Sequence, residues 1–373
     1  MNFVIITHVQ HIKDHSKYYG YAPYVREMNI WLKNVDQVTV VAPIEKNKLD
    51  SIHLNYQHKN IKFTEIQQFN TTTFLNLLRT VSLIPSLLWT IFSAMKKADH
   101  IHLRCPGNIG LLGCLVQILF PKTPKTAKYA GNWDPNAKQP KSYNIQKWIL
   151  NSTFLTKNMK VLVYGEWEGS SKNIKPFFTA TYSETKKEQL LPRSLNHKIN
   201  FVFIGTLSIG KQPLYAVQIV ENLKKLGQDV QLHLFGDGAL RKELEKYITS
   251  NHLKDFVFLE GNQSKETIEK VYKESHFLIL ASKSEGWPKV VAEAMFWGCL
   301  PLTTNVSCVN YMIGNGNRGK LLNLNLEEDT RLIFDLIQHE EQYSKMCIAA
   351  RDWSQQFTTD YFESEIVKLL AFS

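Results

Sequence analysis

Cysteine is scarce in this chain, with five in 373 residues and no Cys-x-x-Cys pair. An odd number without paired spacing argues against a disulfide framework and a cysteine-held zinc site, so Cys105, Cys114, Cys299, Cys308 and Cys347 read as reduced core residues. No Asp-x-Asp metal motif occurs, and no metal ion or other cofactor is expected. The sequence also has no low-complexity tract and no repeat at a fixed period, which excludes long disorder and solenoid architectures. The first apolar run, residues 3–6, is too short for a signal peptide and no small-residue cleavage site follows it, so the expected location is cytoplasmic. Long apolar runs are nearly absent too. Phe74–Met95 has the length of a membrane span but is interrupted by Asn76, Arg79 and Pro85. It reads as a core helix or as a helix lying on a membrane surface.

Acidic residues are few in the first half. Residues 1–199 carry 26 Lys and Arg against 12 Asp and Glu, a balance of +14, whereas residues 200–373 carry 18 against 22, or −4. A field of that sign attracts anions: nucleic acid, acidic lipid headgroups or phosphorylated substrates. Lysines scattered over a solvated surface are the alternative. No helix-turn-helix, RNP or zinc arrangement accompanies the charge, so nucleic acid is not an expected partner.

What is present is the pattern of βα units around parallel sheets, in a chain long enough for two domains. Strands are expected at residues 3–6, 37–41, 61–65, 100–103, 125–129 and 160–163. After a polar connection over 182–198, a second series is expected at 201–204, 231–235, 257–259, 277–280 and 300–303. Between them, residues 213–226 carry apolar side chains at helical spacing, and Gly227 is a plausible stop. The fold class is therefore α/β, with two doubly wound Rossmann-like domains. Residues 1–192 form the first, 193–199 a linker and 200–350 the second. In such sheets ligands bind where the carboxyl ends of the strands face a crevice, here a cleft between the domains.

The chemistry concentrates in residues 281–298, ASKSEGWPKVVAEAMFWG. A buried strand delivers the chain to Glu285 and Gly286, Pro288 suits a first helical turn, and Glu293 follows about one and a half turns in. A helix start binds phosphate through backbone N–H groups and its dipole, and a carboxylate on the same helix can accept from vicinal hydroxyls. Glu293 sits among Val290, Val291, Ala292, Ala294, Met295 and Trp297, where an unsatisfied carboxylate is costly.

Two glutamates eight positions apart, in S-x-x-E-G-[aromatic]-P…E-A-M-x-x-G and followed by a strand, resemble the donor site of glycosyltransferase family 4, the glycosyl transferases group 1. Two further segments, FVFIGTLSIGK at 201–211 and FGDGALRKEL at 235–244, are similar to that family's nucleotide-binding turns. The resemblance implies the GT-B fold, two domains facing across a cleft, with the last helix, 351–373, crossing back to the first. It implies a retaining, metal-independent transferase acting on a nucleotide diphosphate sugar. Glu293 would hold the nucleotide ribose and Glu285 would lie beside the donor sugar. Backbone groups of Gly286, Trp287, Lys289 and Val290 would contact sugar hydroxyls and phosphate. Gly236 and Gly238 would bring backbone near the nucleotide, Gly205 matches the glycine at the end of the family's strand in the donor site, and Lys211 would balance diphosphate charge. Where the family usually carries arginine this chain has Thr206.

The first half matches less closely. Gly20 stands alone where the family often has a glycine pair at the diphosphate. In place of a histidine in the acceptor-side loop the chain offers Asn132 and Trp133, which read either as an acceptor contact or as a structural turn. His8, His11 and His15 read as solvated loop residues. The basic first half and the 74–95 stretch suggest an enzyme at the inner face of an acidic membrane, extending a glycan or lipid-linked acceptor for a bacterial surface polysaccharide. A non-catalytic nucleotide-sugar-binding protein and a sugar-nucleotide epimerase of the same architecture remain the alternatives.

Overall fold

The computed structural model describes residues 1–50, 52–67 and 74–371, with the side chains of 74–81 left undescribed. The interruptions expected from Asn76 and Arg79 therefore lie outside the described residues. The chain divides into two units, residues 1–178 with 362–373, and residues 179–361. The expected linker, 193–199, lies within the second. There the Arg193 guanidinium donates to the carbonyls of Tyr272, Lys273, Trp297 and Gly298, which ties the segment to its neighbours.

The first unit is built on seven parallel strands in the spatial order Ile174–Phe177, Met159–Tyr164, Lys125–Tyr129, His100–Cys105, Asn2–Ile6, Gln37–Ala42 and Ile61–Glu65. Counted along the chain this is a doubly wound sheet whose order reverses between its first and fourth strands. Burial on both faces explains the near-continuous apolar runs such as Phe3–Ile6. One buried polar residue of these strands is well satisfied. Lys128, fully buried, donates to the Phe178 carbonyl at 2.9 Å and lies 4.6 Å from the Tyr164 ring and 4.5 Å from that of Phe177. Helix Thr359–Ala371 supplies Phe362, Ile366 and Leu369 as buried residues, and Phe362 packs on Phe177 and Phe178.

Five short strands were not expected. His11–Asp14, Lys17–Tyr21 and His53–Asn55 form a small antiparallel sheet, while Ile174–Phe177 and Lys320–Leu322 extend the edges of the two main sheets. Three to five residues of mixed polarity leave no periodic signal. The small sheet also overturns the solvated reading of the histidines. His11 is fully buried, stacked on Tyr56 and hydrogen-bonded to its hydroxyl at 2.8 Å, and burial pushes its pKa down to about 4. His8 is partly buried, and only His15 is solvated.

The second unit has six parallel strands in the order Val257–Gly261, Val230–Phe235, Ile199–Ile204, Phe277–Leu280, Leu300–Thr304 and Lys320–Leu322. Its order again reverses between the first and fourth strands. Helix Pro213–Lys225 opens on proline, and Gly227 just beyond it adopts φ +83°, a backbone conformation that side chains disfavour. All five cysteines are free and buried.

Candidate functional site

In the second unit the reversal of strand order sets two loops side by side, one leaving Ile199–Ile204 and one leaving Phe277–Leu280. Backbone and side chain bind these loops together. The Lys283 N–H donates to the Gly210 carbonyl at 2.9 Å, and Gln212 Nε2 donates to the Ala281 carbonyl. Lys211 of the first loop thereby meets Glu285 of the second, Nζ to Oε1 at 2.5 Å. The pair is partly accessible, with the lysine side chain 28% and the glutamate 10% exposed. A pair so placed can exchange partners when an anion arrives, which a fully buried pair cannot do without leaving a bare charge.

A third loop, after Val230–Phe235, is stitched to the first: the Gly205 N–H donates to the Phe235 carbonyl and the Leu207 N–H to the Asp237 carbonyl. The approach is close enough to dictate sequence. A Cβ on Gly236 would stand 2.0 Å from the Gly205 carbonyl oxygen, and one on Gly238 would stand 2.5 Å from that of Leu207. The Gly-Asp-Gly turn is thus a contact between backbones as well as a bend. Thr206, between these glycine-bearing turns, is exposed.

Helix Lys289–Phe296 starts directly after the Glu285–Gly286 turn, with Pro288 at its N-cap. The turn is held from below, where the Ser307 hydroxyl donates to the Gly286 carbonyl at 2.7 Å and the Cys308 thiol also reaches it. Trp287 is buried, stacked 6.5 Å from Trp353 and edge-on to Phe357. Its ring anchors the loop. Lys289 and Val290, in the first helical turn, are partly buried.

Glu293 is partly buried and satisfied at both oxygens. Thr181 Oγ1 donates to Oε1 at 2.8 Å, and the buried Tyr272 hydroxyl donates to Oε2 at 3.3 Å. Burial raises its pKa above the usual carboxylate range, against the lowering effects of the Thr181 hydrogen bond, Lys289 and Lys265. Burial, and after it the same carboxylate, raise the Tyr272 hydroxyl well above its usual value. Neither Thr181 nor Tyr272 stands out in the sequence, although Tyr272 is the one buried residue of helix Lys265–Glu274.

Residues 186–353, the stretch containing Lys211, Gly236, Glu285 and Glu293, match the family model for glycosyl transferases group 1. Over that stretch, just under half of its length, the chain is similar to members of that family. A Campylobacter jejuni relative, named GalNAc-alpha-(1->4)-GalNAc-alpha-(1->3)-diNAcBac-PP-undecaprenol alpha-1,4-N-acetyl-D-galactosaminyltransferase, is 26% identical over 174 residues, which is 46% of this chain and 47% of that protein. An Escherichia coli UDP-Gal:alpha-D-GlcNAc-diphosphoundecaprenol alpha-1,3-galactosyltransferase is 30% identical over 158 residues, 41% of this chain and 40% of that protein. The chain spans less than half the length of the curated relatives it matches. Among solved structures, Anabaena HepE in complex with UDP-glucose superposes over 100% of this chain and 99% of its own with a TM-score of 0.66 at 15% identity. That likeness concerns the fold, which is GT-B.

The remaining expected site residues lie in the first unit, outside the matched stretch. Gly20 is buried inside strand Lys17–Tyr21, paired with His11, where a Cβ would press on Val25 and the His11 ring. Asn132 Oδ1 accepts from the Asp134 N–H at 2.9 Å, and its carbonyl accepts from Gln139. Trp133 is buried edge-on against Tyr129, ring centroids 4.9 Å apart. The structure therefore brings Gly205, Lys211, Gly236, Glu285 and Gly286 together at one reversal point, with Glu293 on the helix that leaves it.

Proposed function

We propose that the protein is a glycosyltransferase that moves a sugar from a nucleotide diphosphate donor, with retention of anomeric configuration and without a metal ion, onto a glycan or lipid-linked acceptor. The observation carrying this reading is the exchangeable Lys211–Glu285 pair at the reversal point of the second unit, beside a helix start and a satisfied Glu293. The relatives named for transfer to undecaprenyl-diphosphate-linked sugars, and the UDP-glucose in HepE, support the donor and acceptor classes.

An arriving diphosphate competes with Glu285 for Lys211. The ammonium turns to the phosphates, and Glu285 is released to accept from donor sugar hydroxyls. The first turn of helix Lys289–Phe296 adds its dipole at the phosphates, while Glu293 accepts from the ribose, replacing or sharing the Thr181 hydrogen bond. As the anomeric carbon–oxygen bond to the diphosphate breaks, Lys211 neutralises the charge that develops. The acceptor hydroxyl bonds to the anomeric carbon from the face the diphosphate leaves, and its proton passes to a phosphate oxygen. Such a reaction fits a cytoplasmic enzyme of surface polysaccharide assembly.

A thermal-shift screen against UDP, GDP, ADP and CMP, then sugar nucleotides of the best base, tests the donor. Proton NMR of the product formed in the presence of chelator tests stereochemistry and metal dependence. Stabilisation by one nucleoside diphosphate and a product of unchanged anomeric configuration are expected. Product without acceptor would instead favour the epimerase reading. Thr206, where the family has arginine, favours a non-catalytic binder as second reading, and donor binding with no turnover on any acceptor would select it.

A further inference from the structure

Helix Phe74–Met95 turns Leu87, Ile91 and Met95 into the core of the first unit, yet its Trp89 is 69% exposed. Beside that ring lies a groove of about 620 Å³ walled by Pro85, Leu88, Phe92, Leu115 and Leu119, with no charged side chain in its lining. Leu119 is 65% exposed. An apolar surface of this kind on a soluble unit marks a place where something other than water sits.

What flanks the groove is basic. Trp89 also borders a cavity of about 770 Å³ whose charged side chains are Lys59, Lys62 and Lys97. On the other side Phe120 packs on Phe92, ring centroids 5.3 Å apart, and its carbonyl accepts from Lys125. Lys125 opens a third cavity, about 250 Å³, whose other charged side chains are Lys157, Lys160 and Lys172. Next to it Phe154 is 75% exposed, with the Lys157 ammonium 5.3 Å from its ring. None of these lysines takes part in an ion pair among the described residues. For Lys97 and Lys125 the sequence offers few partners, since between Glu65 and Asp134 the one acidic residue is Asp99.

We propose that this face of the first unit docks on an anionic lipid bilayer, with Trp89 and Leu119 entering the boundary between headgroups and acyl chains while the flanking lysines meet headgroup phosphates. An apolar stripe between two acid-free lysine clusters matches the layering of such a surface, with tryptophan at the depth it favours. A second copy of the chain is the poorer occupant, because a two-fold contact here would set lysine against lysine. A nucleic acid would satisfy the lysines and leave the groove empty. The proposal is independent of the donor site, since docking needs neither nucleotide nor acceptor.

The test is flotation of the full chain with vesicles of phosphatidylcholine alone or with about one third phosphatidylglycerol. Partitioning onto the anionic vesicles should exceed that onto neutral ones by about tenfold and fall several-fold between about 50 and 500 mM salt. The W89E/L119E variant should lose about tenfold on anionic vesicles. A K157A/K160A/K172A variant should lose binding to anionic vesicles while its weak partitioning onto neutral ones stays unchanged. These side chains are exposed or unpaired, so both variants should keep the wild-type melting temperature and nucleotide-induced shift. Absence of binding to anionic vesicles at low salt, or undiminished binding by W89E/L119E, overturns the proposal. So does a concentration-dependent dimer that W89E/L119E abolishes in a protein that ignores vesicles.

Discussion

Each unit reverses its strand order between its first and fourth strands, but the ion pair close to that reversal is built differently in the two. In the second unit Lys211 and Glu285 lie on loops and stay partly accessible. In the first unit Arg104, near the end of strand His100–Cys105, pairs at 3.1 Å with Glu27 on helix Ala22–Leu32, and their side chains are 13% and 6% exposed. The Tyr24 ring covers the guanidinium at 5.3 Å, and Glu27 together with the neighbouring tyrosines Tyr164 and Tyr24 holds Arg104 in its charged form against burial. One topology thus yields a pair poised to trade its partner and a pair locked into the core.

The sharpest way to break that contrast is to delete the cation from each pair. Lys211→Met should lower kcat about 100-fold by removing charge stabilisation on the leaving diphosphate, with stability nearly unchanged. Lys211→Arg should recover only part of the rate, because a planar fork does not sit where a compact ammonium did. Arg104→Met should do the reverse, costing about 3 kcal/mol of stability because the buried Glu27 loses its cationic partner. Denaturant midpoints and initial rates on the same preparations separate the two outcomes. Glu293→Gln belongs with Lys211: donor Kd should rise about 30-fold with the loss of charge-assisted hydrogen bonds to ribose. The apo protein should be no less stable, because burial already disfavours this carboxylate.

Backbone approach gives a second contrast. Gly236→Ala forces a Cβ to within 2.0 Å of the Gly205 carbonyl oxygen and should cost about 2–3 kcal/mol, abolishing the nucleotide-induced thermal shift. Gly20→Ala meets Val25 at 3.1 Å and the His11 ring at 3.2 Å, side-chain atoms that can give way, and should cost about 1 kcal/mol. Equal losses from the two would mean that the Gly-Asp-Gly turn is an ordinary bend.

How far the sequence revealed each unit follows the same division. Apart from Ile174–Phe177 and Lys320–Leu322, the strands of both main sheets were legible because burial on two faces demands runs such as Phe277–Leu280; Glu285 stood out at the end of that strand, and Lys211 and Gly236 through the resemblance their turns bear to the family's. Thr181 and Tyr272 were not, since their meeting with Glu293 spans 112 and 21 residues and depends on tertiary packing alone. His11 was misread for the same reason: the Tyr56 that buries it comes 45 residues later.

Those buried histidines set the third contrast, in acid. His11 and His100 have pKa values pushed down to about 4, chiefly by burial, and burial also holds His102 well below its usual value, whereas the second unit has one such group, His276, also about 4. A histidine whose folded pKa lies below its unfolded value keeps the fold stable above about pH 6.5 and withdraws that stability as pH falls toward 4, since the unfolded chain takes up the proton first. At pH 5.5 each should cost about 1.4 kcal/mol. Hydrogen exchange should therefore show strands Asn2–Ile6 and His100–Cys105 losing protection before Ile199–Ile204 and Phe277–Leu280. Loss in the opposite order would place the acid-sensitive core in the wrong unit.

The smallest expected effect concerns Asn132, whose Oδ1 already accepts from the Asp134 N–H. A side chain that closes its own turn contributes by shaping the loop, so Asn132→Ala should cost about 1 kcal/mol. Transfer to the acceptor should stay within about threefold of wild type, because the lost hydrogen bond is internal to the turn. Asn132→Asp keeps the turn acceptor and should keep the stability. If Asn132→Asp holds the fold yet raises the KM for acceptor tenfold or more, the amide nitrogen reaches the acceptor and the first unit contributes a specific contact as well as a scaffold.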